Sequence, residues 1–453
     1  MASAGRRLRA LTPVVLPRRP HRTLCIGAPR MTSEAVRRRR GFDPAALAAI
    51  GPALAEFVDR GELAGIVSLT SRGGEVVHAE TIGWRDVETK SPMRPDTLFR
   101  IASMTKPITS VAAMMLVEEG RIDLADPISR WVPELADLRV LRNAAGPLDD
   151  TVPVNRPITI EDLLTHRSGI AYAFFSEGPL KLAYERTLGD PAMNRSTPDE
   201  WLAALGTLPL AYQPGDRFHY GHSTDALGFL IGRVEGKPFR EVLRERIFTP
   251  LGMADTDFWL PHAKRDRLAS LYGYDEAAGR LVKLQPVMYD APPDYTPGGG
   301  GLISSAPDYH RFARMLLGGG ELNGVRLLRR ETVDLMRTNR LTSAQRQVPF
   351  AGMPLWQTSG FGLGLALGDT SAGNPYACGA PGSMTWPGIF GTWWQADPAN
   401  DLVMIYLIQH QVPVSAGAGA TIATGRGATG RRALPIFQSG TYAALSDMAE
   451  QAI

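Results

Sequence analysis

Leu98-Phe-Arg-Ile-Ala-Ser-Met-Thr-Lys-Pro107 leads into the strongest apolar helical pattern of the chain, residues 103 to 119, which stops at Gly120. Three residues along a helix place two side chains on one face, about 5–6 Å apart at Cβ, so Ser103 and Lys106 lie within reach of each other. A neutral lysine amine in that position can take the hydroxyl proton and turn the serine into a nucleophile. The helix N-terminus favours negative charge and leaves the Ser103 N–H without a helical acceptor. Pro107 falls near the first turn, where little hydrogen bonding is lost. A solvated surface lysine is the bland alternative, and lysine usage argues against it. The chain has six lysines against 43 arginines, and Lys106 alone has a serine three places before it. Where any cation suffices this protein uses arginine, which cannot give up its proton as a base must.

Outward from this segment, Asp43-Pro-Ala-Ala-Leu reads as an N-cap with proline at the first helical position, opening a helix to about Arg60. Ile66 to Ser71 and Val76 to Ile82 are β-rich runs joined through Gly73-Gly74, a hairpin signal. The middle of the chain, about 120–290, reads as helical segments and Pro/Gly-rich loops, with Ile160 to Thr165 and Ser223 to Val234 among the helices. Strand patterns return only at Phe361 to Leu367, Ser383 to Trp386, Gly391 to Ala396 and Leu402 to Ile408, before a last helix at about Leu434 to Glu450. Strands at both ends with helices between them predict an α+β fold. In it, one antiparallel sheet built from the N- and C-terminal segments is flanked by helices, and a mainly helical lobe is inserted at about 120–290.

The 453 residues are 44% hydrophobic and 21% charged, a composition for a folded body rather than a disordered chain. Net charge of +3 conceals an uneven distribution. Residues 1–40 carry eleven arginines and one acid, Glu34, or +10, so residues 41–453 carry −7. An acidic body lacks the basic face of a nucleic-acid binder. The best signal-peptide candidate, Ala10 to Leu16, is interrupted by Pro13, so secretion is not expected and the protein is placed in the cytoplasm. The arginine-rich leader suits an organelle transit segment as well, but Met31 offers a second start, and residues 1–40 are read as a disordered leader or a mis-assigned start. No apolar run reaches the roughly 18 residues of a membrane span. Two cysteines, Cys25 and Cys378, exclude a disulfide framework. His-Glu-x-x-His, Cys-x-x-Cys, P-loop and Gly-x-Ser-x-Gly patterns are absent, and the remaining histidines have no metal-ligand spacing, so neither metal nor cofactor is expected. Gly298 to Gly301 lacks a following lysine and reads as a turn.

The segment 98–107 resembles the active-site motif of the serine β-lactamase and penicillin-binding-protein superfamily, especially class C-like enzymes and family VIII carboxylesterases. Leu124 to Ile128, Thr159 to Ile170 and Gly299 to Tyr309 are similar to further family segments, and the likeness spans about residues 43–450. It implies a β-lactamase/transpeptidase-like fold. In the family's second motif a tyrosine shares the serine proton; Phe218-His-Tyr-Gly-His-Ser223, after Pro214-Gly215, matches that context, which makes Tyr220 the proton shuttle. His222 holds a position that is commonly asparagine, where it either contacts substrate or fills a pocket; it is counted with the substrate-binding residues Trp386 and Gly388. The third motif, usually led by lysine or histidine, is here Trp386-Pro-Gly-Ile389, similar to that of family VIII esterases. The backbone N–H of Ile389 would join that of Ser103 in an oxyanion hole. With no cation leading this motif, a neutral apolar acyl substrate is expected.

The resemblance therefore implies a serine hydrolase that cleaves small-molecule esters through an acyl-enzyme. Amide or peptide hydrolysis of the β-lactamase or D-amino-acid type, and acyl transfer to an alcohol, use the same residues and stay open. A non-catalytic binding scaffold is disfavoured because all three reactive side chains are present.

Overall fold

The computed structural model describes residues 40–190, 194–286, 288–350, 352–368, 380–411 and 429–445. The leader up to residue 39, both cysteines and residues 446–453 lie outside them. Helix α1, Pro44–Asp59, starts as its sequence dictates, the Asp43 carboxylate accepting from the Ala45 N–H at 2.9 Å. Strands β1 (Gly65–Arg72) and β2 (Glu75–Asp86) form the expected hairpin, with both turn glycines at positive φ. β3 (Ser91–Pro92) completes the N-terminal part. The C-terminal part supplies β4 (Ser359–Phe361), β5 (Ala366–Gly368), β6 (Met384–Thr385), β7 (Trp393–Asp397) and β8 (Leu402–Leu407).

These eight strands make one antiparallel sheet in the order β4-β5-β6-β7-β8-β1-β2-β3. The two chain segments meet where β1 runs against β8, Val67 opposite Leu407 and Arg72 opposite Leu402. The run Leu-Val-Met-Ile-Tyr-Leu of β8 has no polar alternation because helices cover both sheet faces. Leu402, Met404 and Tyr406 pack with Leu47, Leu54 and Phe57 of α1 and with Phe437 of the C-terminal helix. Val403, Ile405 and Leu407 face the larger core on the other side. The fold is the expected α+β arrangement of an antiparallel sheet from both chain ends flanked by helices.

Between β3 and β4 the chain is helical, as expected, including Ile160–Leu164 and Ser223–Glu235, but it also forms short two-stranded ladders that the sequence reading omitted. Leu271–Asp275 pairs with Arg280–Leu284, and Phe99–Arg100 pairs with Ile303–Ser304. The two-residue strands Phe99–Arg100 and Ile303–Ser304 are too short to leave a periodic signature. The expected strand Phe361 to Leu367 is two strands, β4 and β5, around a tight turn. Gly364 has φ +86°, and a Cβ there would stand 1.8 Å from the Ser110 hydroxyl. This turn thus lies against the helix Thr105–Glu118, which the chain enters immediately after Ser103.

Replacing Gly364 by alanine forces a side chain into the left-handed region, at roughly 1–2 kcal/mol, and into Ser110. Urea unfolding of Gly364→Ala should show at least about that loss. Combined with Ser110→Gly, which empties the colliding position, the loss should be smaller than the sum of the two single changes.

Candidate active site

Ser103 lies in a single 3₁₀ turn, Ala102–Met104, that hands over to helix Thr105–Glu118. The helix expected from residue 103 therefore begins two residues later. The turn is set by Ala102, at φ +45°, a conformation that non-glycine residues seldom adopt. Its neighbours impose it. Ile101 N–H donates to Leu302 C=O at 2.9 Å, and the Ile101 carbonyl accepts from the Thr392 hydroxyl at 3.2 Å. Such strain is typical of functional positions.

Lys106 is 1% exposed, and its Nζ meets three oxygens: Ser103 Oγ at 3.2 Å, Tyr172 OH at 3.4 Å and the Gly299 carbonyl at 2.6 Å. Tyr220 OH donates to Ser103 Oγ at 2.8 Å and accepts from Trp386 Nε1 at 3.1 Å. Ser103 with Lys106, Tyr220 and Trp386 thus come together from three separate parts of the chain. Gly388 and Ile389 follow Trp386 and line the same cavity as Ser103. The Gly388 N–H is bonded to Thr392 C=O at 2.8 Å, and a Cβ on Gly388 would lie 2.4 Å from the Ile101 carbonyl.

His222 departs from its expected place against substrate. It is 4% exposed and lies behind Tyr172, ring centroids 4.2 Å apart, with Nδ1 at 2.6 Å from Asp225 Oδ2. Asp225, in the first turn of Ser223–Glu235, joins this second layer. Its Oδ2 also accepts from Tyr172 OH at 3.2 Å, and its Oδ1 accepts from the Gly299 N–H at 2.7 Å. Burial opposes a charge on Asp225, but His222, Lys106 and the Gly299 N–H outweigh it and hold the carboxyl below its usual range. Burial first, then Asp225, pushes the Tyr172 phenol well above its ordinary value, so it remains a donor.

Tyr172, Asp225 and Gly299 were not anticipated from sequence. Tyr172 follows the family-like segment ending at Ile170 by two residues, and Asp225 is three residues past His222, on the same helical face. The glycine run is more than a turn: a Cβ on Gly298 would stand 2.3 Å from the Thr224 carbonyl, and one on Gly299 would stand 2.6 Å from Asp225 Oδ1. Only chain without side chains can lie this close to the start of the helix Ser223–Glu235.

The cavity beside Ser103 has a volume of about 830 Å³ and a mostly apolar wall that includes Phe174, Phe258, Trp259, Tyr289, Phe350 and Trp386. Among the described residues no three His, Cys, Asp or Glu side chains gather as metal ligands, and no helix is long and apolar enough to cross a membrane.

Comparison with known proteins gives concordant matches. Residues 52–427 match the family described as Beta-lactamase. Protein Rv1367c of Mycobacterium tuberculosis is 47% identical over 393 residues, 86% of this chain and 97% of that protein. Esterase EstB of Burkholderia gladioli is 30% identical over 365 residues, 76% of this chain and 86% of the relative. Among solved structures, EstCE1, a hydrolase with promiscuous acyltransferase activity, superposes with a TM-score of 0.70 at 26% identity, covering 88% of this chain and 99% of its own.

His166 supports Tyr220 from behind, ring centroids 4.7 Å apart, and burial, reinforced by Lys106, holds its pKa well below 6.5. The unfolded imidazole protonates near pH 6.5 while the folded one does not, so this contribution is complete above that pH and is lost as pH falls through the folded value. Urea-unfolding free energy should therefore decline on acidification below about pH 6.5. In His166→Gln the slope should be shallower by up to about 1.4 kcal/mol per pH unit.

Proposed function

The chain belongs to the beta-lactamase family, and from that membership and the geometry around Ser103 we propose that it is a serine hydrolase that cleaves esters through an acyl-enzyme. One observation carries this proposal: Ser103 Oγ stands 3.2 Å from Lys106 Nζ and 2.8 Å from Tyr220 OH, on the wall of a large apolar cavity. A neutral amine has two hydrogens and one lone pair. The Gly299 carbonyl and Tyr172 OH accept the hydrogens, which leaves the lone pair for the serine proton.

In this mechanism Ser103 Oγ attacks the ester carbonyl as its proton passes to Lys106. The carbonyl oxygen, now charged, is received by the backbone N–H groups of Ser103 and Ile389. Neither N–H has a backbone acceptor among the described residues, and one such donor contributes about 2.7–4 kcal/mol to the transition state. Tyr220, fixed by Trp386, delivers a proton to the departing alcohol. Water then releases the acyl group by the same steps in reverse.

Ester rather than amide cleavage is supported by the esterase relative and by the tryptophan-led Trp386-Pro387-Gly388, which lacks the lysine or histidine usual at its head. Acyl transfer is a second reading, favoured by the description of EstCE1 as a hydrolase with acyltransferase activity. An alcohol held in the apolar cavity would take the acyl group in place of water.

Lys106→Arg puts a permanent cation in place of the amine, and that cation cannot accept the proton. Hydrolysis of 4-nitrophenyl butyrate should fall by roughly 10²–10⁴-fold with an unchanged circular dichroism spectrum, and near-normal turnover by this variant would overturn the proposed base. Tyr220→Phe should lose activity within the same range, and a fluorophosphonate probe should label Ser103 and nothing in Ser103→Ala. Nitrocefin and a D-alanyl peptide should be turned over far more slowly than the butyrate ester. If acyl transfer operates, added 1-butanol should yield butyl butyrate with the native chain and none with Ser103→Ala.

A further inference from the structure

Arg100 precedes Ser103 by three residues and lines the same cavity. Its backbone is clamped: the N–H donates to Gln409 Oε1 at 2.7 Å, the carbonyl accepts from Gln409 Nε2 at 3.2 Å, and the residue pairs with Ile303 across the short ladder. The guanidinium has no such partners. Its one hydrogen bond among the described residues runs from Nη2 to Met288 Sδ, 2.9 Å, a weak acceptor. Arginines elsewhere in this chain meet carboxylates, as Arg233 does with Glu134, Arg240 with Asp257 and Arg267 with Asp255. Arg100 forms no ion pair among the described residues, and burial alone lowers its pKa to about 10, so it stays charged at neutral pH. A partly buried cation without a counter-charge is costly unless something pairs with it.

Among the described residues no other lysine or arginine lines this cavity. Of its two acids, Asp225 is occupied by Tyr172, His222 and Gly299, and Asp190 is exposed. The remaining wall is largely apolar. We propose that Arg100 anchors a carboxylate of the substrate, so that the ester cut at Ser103 has an apolar body bearing one free acid group. This rests on the esterase reading above and names the substrate class for it. A guanidinium receives a carboxylate through two parallel N–H···O bonds, which fixes orientation as well as position. The two Cα atoms lie at most about 10–11 Å apart along the chain, and both residues line one cavity, so anchor and nucleophile can engage one small molecule together. The neutral substrate expected from the tryptophan-led third motif is revised accordingly. The cation is present, but on the strand before the nucleophile.

Calorimetry with two ligands that the enzyme cannot cleave, 4-phenylbutyrate and 4-phenylbutan-1-ol, tests the assignment on the full chain. The carboxylate should bind at least tenfold more tightly than the alcohol, Arg100→Gln should bring the two to equal affinity, and Arg100→Lys should keep part of the difference. Equal affinities in the native protein, or a preference that persists in Arg100→Gln, would overturn the proposal. Should Arg100→Gln melt before it can be assayed, Arg100→Lys takes its place: a preference reduced at least threefold is expected, and an undiminished one is fatal. Because neither ligand is turned over, the outcome is separate from the esterase reading. Absence of a fluorophosphonate adduct at Ser103 would sink that reading and leave the anion site standing.

Discussion

The amine of Lys106 is held by the carbonyl of Gly299, and the N–H of the same residue is held by a carboxylate. Gly299 offers its C=O to Lys106 Nζ at 2.6 Å, while its N–H is bonded to Asp225 Oδ1 at 2.7 Å. Asp225 in turn takes Tyr172 OH, which is the third neighbour of the same amine. One buried carboxylate therefore holds Gly299 and the Tyr172 phenol, the two groups that with Ser103 surround the lysine amine. In a low-dielectric interior such a fully satisfied network is rigid, and a partly satisfied one would be expensive. His222 belongs to it as the donor that keeps Asp225 ionised, which is why it is buried behind the site instead of facing the cavity.

Much of this was legible in the sequence, for reasons that differ from residue to residue. Ser103 and Lys106 declared themselves because a helix fixes their spacing and because lysine is so scarce here that its placement carries information. The N-terminal hairpin and β8 were legible from turn glycines and an unbroken apolar run. The fold class followed from the order of these patterns along the chain. Tyr220 and Trp386 needed a family likeness, since nothing local in Phe218-His-Tyr-Gly announces a contact with residue 103. Tyr172 and Asp225 were missed because their importance is a matter of three-dimensional convergence. Each is an ordinary residue in its own segment, and the two meet only through Gly299. Phe361 to Leu367 misled for the opposite reason: its composition is that of a strand, but two glycines admit a turn that packs against Ser110.

The cavity combines features that act separately on a substrate. Its aromatic wall supplies non-directional burial, which rewards bulk and is indifferent to orientation. The polar groups near Ser103 supply direction. Arg100, on a clamped stretch of backbone three residues before the nucleophile, adds a charge to the same wall. In the proposed mechanism, position along the cavity and alignment at the reacting carbon would be set by different residues, so that a change in one need not disturb the other.

The central pairing of β1 with β8, Val67 opposite Leu407, has a consequence for how the molecule is made. A ribosome adding about 5–20 residues per second delivers β8 some tens of seconds after β1 and β2. Throughout that interval the N-terminal hairpin has an open edge and an apolar face with no covering strand. A product terminated anywhere between the end of β2 and the start of β8 would carry the hairpin with an unpaired strand edge, a template for pairing with other chains.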